Sequence, residues 1–76
     1  MKKISNISLT TMRVILTDYG LKKMRTKGGH EAWGKNGMTR PIIIQTHVNP
    51  IPIHIVQNCI KALNISTEEF LNQLNR

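Results

Sequence analysis

The chain has 76 residues, with eleven Lys and Arg against four Asp and Glu, a net charge of +7 and a pI near 10.2. That length makes one domain, 1–76, burying roughly 60% of its unfolded surface and leaving little room for two functions. The charge points to a polyanionic partner, and the lone Cys59 excludes an internal disulfide and a cysteine-built zinc site.

Residues 1–7 read as a basic lead-in. The opening MKKISNISLTTM has no apolar run like that of a signal peptide, and no later stretch is long enough to cross a membrane. A cytoplasmic protein with no membrane partner is expected. Ser8 is a suitable helix N-cap, and Leu9, Met12, Ile15, Leu16 and Tyr19 recur at helical spacing before Gly20 stops the helix. Residues 21–27 predict a short basic strand, Gly28-Gly29 a turn, and residues 30–35 a second strand. Asn36-Gly37 carries the hairpin signal of a tight turn. Residues 39–46, TRPIIIQT, predict the third strand, with Pro41 at its start or edge. Pro52 suits a first helical turn, and Ile53, Val56, Ile60 and Leu63 mark the helix after it. Ser66-Thr67-Glu68-Glu69 matches a capping box, opening a short terminal helix with Phe70, Leu71 and Leu74 on its apolar side.

The expected fold is therefore α+β, in the order α-β-β-β-α with a short extra C-terminal helix. A three-stranded antiparallel sheet carries helices on one face and leaves the other open. Side chains alternate along a strand. Trp33 has the most apolar surface to bury, so it faces the helices, with Glu31 and Lys35 at the same parity. His30, Ala32 and Gly34 then face outward. With Met24 in the core, Lys23, Arg25 and Lys27 also face outward. Ile42 and Ile44 belong to the core, while Ile43, Gln45 and His47 have the outward parity.

This reading places an imidazole on a roomy, positively charged surface. An imidazole gives and takes protons near neutral pH. RNA invites such chemistry: removing a 2′-OH proton starts attack on the adjacent phosphorus, and protonating the 5′ oxygen releases the leaving group. Nearby cations stabilise the charge that develops on phosphorus. The glycine corner leaves room for a phosphate to approach backbone N–H groups. No cofactor and no metal site are expected.

Gly28-Gly29-His30, with Trp33 three residues on, resembles the G-[S/T/G]-H-x-x-[aromatic] signature of the HicA toxins, small mRNA interferases of bacterial toxin–antitoxin systems. The helix ending in Tyr19-Gly20 before a basic strand is similar to the family's, as are the strand Ile42 to His47 and the closing ISTEEFL segment. The resemblance covers about residues 8–74. It implies a fold similar to a double-stranded-RNA-binding domain and a single catalytic histidine, His30. The implied activity is metal-independent, ribosome-independent RNA cleavage that arrests translation. The implied partner is a HicB-like antitoxin that covers His30 and brings the pair to operator DNA. Gly29 departs from the serine or threonine common there, and Glu31 adds a carboxylate that either acts on His30, by orienting the ring or raising its pKa, or points to the opposite face.

Between Lys22 and Arg40 stand six cations against Glu31 alone. The RNA-binding candidates are Lys23, Arg25, Lys27, Gly28, Gly29, Lys35, Arg40 and His47. His47 also suits a structural place in the loop before Pro50, or a second acid/base. His54, early in its helix, is read as half-exposed and without a role, and Cys59 as a core residue. Two rival readings keep the charge without the chemistry: a non-catalytic RNA-binding domain, and a basic module that docks an acidic protein.

Overall fold

A computed structural model describes residue 4 and residues 6–75. Helix α1 runs Leu9–Asp18, followed by strands β1 (Lys22–Lys27), β2 (His30–Gly34) and β3 (Ile42–Gln45), then α2 (Ile53–Leu63) and α3 (Thr67–Leu74). The strands form one antiparallel sheet in the order β1-β2-β3. This is the expected α-β-β-β-α layout with its extra terminal helix. No described helix is long and apolar enough to cross a membrane.

Local chemistry sets the boundaries. The Ser8 hydroxyl accepts from the Thr11 amide at 3.1 Å, as an N-cap should. α1 closes with two bonds, from the Gly20 amide to the Thr17 carbonyl at 2.9 Å and from the Leu21 amide to the Leu16 carbonyl at 3.0 Å. That pairing is the Schellman motif, with Leu21 folded back into the core. Ser66 caps α3 through the Glu69 amide at 3.0 Å. The other half of the expected capping box does not form. The Glu69 carboxylate instead accepts from the Tyr19 hydroxyl at 2.9 Å, tying α3 to the end of α1.

Of the two turn signals, Gly28-Gly29 turns the chain as expected and Asn36-Gly37 does not make the tight hairpin. Gly28 and Gly29, at φ 56° and 81°, make the two-residue hairpin between β1 and β2, with Lys27 opposite His30. Positive φ at both central residues is the type I′ pattern, whose twist matches the flanking strands. Asn36-Gly37 lies instead in a longer connection. There the Met38 amide donates to the Lys35 carbonyl at 3.2 Å, and only Gly37 has positive φ. That is a type II pattern, not a tight hairpin.

One core holds the layers together. The sheet contributes Trp33, Ile42 and Ile44 from a single face. Above them lie Met12, Ile15 and Leu16 of α1, Val56, Cys59 and Ile60 of α2, and Phe70 of α3. Burying Trp33 alone contributes on the order of 4 kcal/mol by its area. The lead-in is only partly outside this fold. Lys2 and Lys3 lie beyond the described residues, but Ile7 is buried and bridges Ile51, whose amide donates to the Ile7 carbonyl at 2.8 Å.

The expected core place of Met24 is corrected. The register slips between Lys23 and Arg25, leaving Met24 as a bulge that is 67% exposed. An extra residue in one strand reverses the parity beyond it. Lys23 therefore pairs with Trp33 on the helix side, while Lys22, Arg25 and Lys27 pair with Gly34, Ala32 and His30. The outward placement of Lys23 fails for this reason. Those of Arg25 and Lys27 stand.

Among the described residues Glu31 is the one buried charge, 2% exposed beneath the sheet. Arg13 of α1 grips both its oxygens, Nε reaching Oε1 at 3.1 Å and Nη2 reaching Oε2. The Trp33 indole N–H donates to Oε1 at 3.0 Å. The Arg13 hydrogen bond holds the Glu31 carboxyl below its ordinary value against the opposing effect of burial, and Trp33 and the charges of Arg13 and Lys23 help. Because the folded-state value is depressed, the stabilisation is present above the ordinary carboxylate value of 4.5 and is lost as pH falls through the folded value. Arg13→Ala should lower unfolding stability at pH 7 by about 2 kcal/mol, read from urea midpoints. In the same assay Glu31→Gln should flatten the loss of stability on acidification, although it starts from a lower value.

Candidate functional site

His30 begins β2 immediately after the glycine hairpin and is exposed on the face away from the helices. Its outward direction follows from Glu31 and Trp33, which face inward on either side of Ala32. Arg25, Lys27, His30, Ala32 and Ile43 line a shallow open recess of about 290 Å³. The register explains the set, since Lys27 faces His30 while Arg25 and Ile43 flank Ala32 on either side. The small Ala32 forms the floor, itself only 4% exposed.

His47 comes to the same corner from the loop after β3. Its ring meets that of His30 edge-on, with centroids 6.2 Å apart and planes at 81°. A Cβ at Gly29 would stand 3.1 Å from His47 Nδ1, so the glycine lets the second imidazole lie against the hairpin. Thr46 anchors the approach: its amide and its hydroxyl both donate to the Gly29 carbonyl, at 2.7 and 3.0 Å. A serine or threonine at 29 would crowd this ring, a physical reason for glycine there.

The remaining candidates spread out. Lys35 lines a second outer-face recess of about 350 Å³ with Gly20, Lys22, Met24, Gly34 and Asn36. Its Nζ donates to the Tyr19 carbonyl at 3.0 Å, so it also holds the end of α1. Met24 lies across Gly34, where a Cβ would come within 2.7 Å of its sulfur. Arg40 is in the connection before β3 and lines a groove between β3 and α2, apart from His30. Gly28 is exposed, with open space where a Cβ would stand. The sheet thus gathers Arg25, Lys27, Gly29, His30 and His47, sets Lys35 beside Lys22, and leaves Lys23 and Arg40 elsewhere.

Sequence reasoning missed Ile43 as a wall of the recess, Thr46 as the anchor of His47, and Arg13 as the partner of Glu31. The inward parity of Glu31 was a signal that some cation must cover it. Nothing local to β2 named Arg13, 18 positions earlier. His54 is exposed in the first turn of α2. Among the described residues, no three His, Cys, Asp or Glu side chains converge as a metal-holding group.

The arrangement is suited to phosphate chemistry. Two cations and the His30 imidazole line an open hollow whose walls carry no carboxylate, and the His47 ring stands beside His30 at its corner. Glu31 lies on the opposite face, which settles its two readings against orienting His30. Comparison with models of known protein families, with curated proteins and with solved structures finds no match to this chain.

Cys59 is fully buried, and burial pushes its thiol up to about 11. A buried, protonated thiol is a poor nucleophile. A thiol-labelling reagent at pH 8 should modify Cys59 only as fast as the protein opens, and rapidly once urea unfolds it. Fast labelling of the folded chain would contradict this core position.

Proposed function

We propose that this protein is a HicA-type endoribonuclease, a toxin that cleaves mRNA and arrests translation. The observation that carries the reading is His30, exposed in a recess walled by Arg25 and Lys27. The order of elements supports it, since the α-β-β-β-α layout is the one the family resemblance implies. RNA lies along the open sheet face, its phosphates neutralised by Lys22, Arg25 and Lys27. His30 takes the proton from a 2′-OH, and the activated oxygen attacks the neighbouring phosphorus. Arg25 and Lys27 offset the negative charge that accumulates there. No metal has a role in this scheme, and the protein works in the cytoplasm, where its mRNA substrate is.

The same reading assigns the partner. A HicB-like antitoxin covers the His30 face and excludes RNA, and operator DNA is contacted only through that complex. The outer face suits an acidic or polyanion-mimicking surface, because its charged wall residues are cations.

The deciding experiment incubates the purified protein with a long RNA in chelator, beside His30→Ala checked for folding. The native protein should cut, and His30→Ala should lose about 100-fold or more of the rate while still binding. Intact RNA with stoichiometric native protein across neutral pH overturns the reading. Binding without cutting by either protein leaves a non-catalytic RNA-binding domain.

The face assignment makes a separate prediction for salt dependence. Each phosphate contact to a single strand adds about 0.7 to the slope of log K against log salt. Arg25→Ala should reduce that slope by about this amount, measured by fluorescence anisotropy with a labelled RNA. Lys23→Ala should leave it nearly unchanged, because Lys23 is turned toward the helix side.

A further inference from the structure

The geometry points to His47 as a second catalytic residue, the general acid for the leaving 5′ oxygen, working opposite His30. This rests on the ribonuclease reading and departs from the single histidine that the family resemblance implies. Cleavage by 2′-OH attack needs two proton transfers on opposite sides of phosphorus. One group must take the 2′ proton, and another must supply a proton as the P–O5′ bond breaks. A side chain serves either step from about 3 Å away. Two exposed imidazoles with centroids 6.2 Å apart are close enough for both to reach a single phosphate that rests across their edges.

The second imidazole is held there by the fold. Thr46 fastens the start of its loop to the Gly29 carbonyl with two hydrogen bonds. At the far end, Ile51 is bridged to Ile7, and the Asn49 side chain accepts from the Leu9 amide at 3.2 Å. The missing Cβ at Gly29 makes the space that Nδ1 of His47 approaches. The ring is nonetheless exposed, so it is free to meet substrate. The charged side chains lining the recess beside it are Arg25 and Lys27 of β1, while Ala32 and Ile43 contribute no charge. Glu31 is turned away beneath the sheet.

The step balances without any further reagent. His30 accepts the 2′-OH proton as the O2′–P bond forms. The P–O5′ bond breaks, and protonated His47 donates to O5′. The products are a 2′,3′-cyclic phosphate and a 5′-hydroxyl, with the two histidines left in exchanged protonation states until solvent restores them.

The test uses a short RNA with one mapped cleavage site, and the same RNA with sulfur in place of the bridging 5′ oxygen. A thiolate leaves without being protonated, so the sulfur substrate removes the need for an acid but not for a base. His47→Ala, and His47→Gln as a polar control, should cut ordinary RNA about 100-fold or more slowly and approach the native rate on the sulfur substrate. His30→Ala should be slow on both. Unchanged urea midpoints exclude misfolding as the cause. Native rates for both His47 variants on ordinary RNA overturn the proposal, as does equal slowing on the two substrates. Rescue of His30→Ala instead overturns the assignment of acid and base. If the native protein cuts neither substrate, the ribonuclease reading itself fails, a result distinct from all of these.

Discussion

The carboxylate of Glu31, buried beneath the sheet, is the constraint on which the rest of the molecule depends. A charge taken out of water must be paired and hydrogen-bonded. Here the pairing comes from Arg13 on α1 and from the indole of Trp33 on the same strand. One cluster thus fastens a helix to the sheet and fixes which way β2 faces. A slip of one residue would expose Glu31 and Trp33 and bury His30. The outward direction of the candidate catalytic histidine is therefore set by the acid next to it in sequence, although that acid lies on the opposite side of the strand.

The outer face takes its pattern from an irregularity in β1. Without the bulge at Met24, alternation would place Lys23 beside Arg25 and Lys27. With it, Met24 lies over Gly34 and separates two recesses, one holding Lys22 and Lys35, the other Arg25, Lys27 and His30. Cations are kept in both, and the face gains one exposed apolar side chain, Met24, in addition to Ile43 of β3.

Much of this was legible in the sequence because the signals were local. Helix starts follow from hydroxyl caps at Ser8 and Ser66, and the inward parity of Trp33 follows from its size. His30 was legible for the same reason, since its facing depends on its immediate neighbours. The failures involve choices between competing local signals, or contacts between distant residues. Gly28-Gly29 and Asn36-Gly37 both favour turns. Only the spatial requirement to pair Lys27 with His30 gives the tight hairpin to the first. Met24 has the composition of a core residue, but a bulge leaves no composition mark that separates it from a regular strand. The meeting of His47 with His30 depends on a loop tied down by Thr46 and Ile51, contacts that alternation along one strand does not encode.

The division of charge between the two sides follows from the same economy of acids. Only four carboxylate side chains occur in the chain. Glu31 is closed by Arg13, Glu69 accepts from Tyr19, and Asp18 accepts from the Gln73 side chain at 3.0 Å. Glu68 sits in the first turn of α3, where a negative charge complements the helix end. The acids thus serve the helices and their attachment to the sheet. None reaches the recess, so Arg25 and Lys27 stand beside the imidazoles without a competing anion. A phosphate entering the hollow meets no carboxylate in its walls. The interactions that hold the fold and the groups available for chemistry occupy opposite sides of one thin sheet, and β2 joins them by presenting Glu31 and Trp33 to one side and His30 to the other.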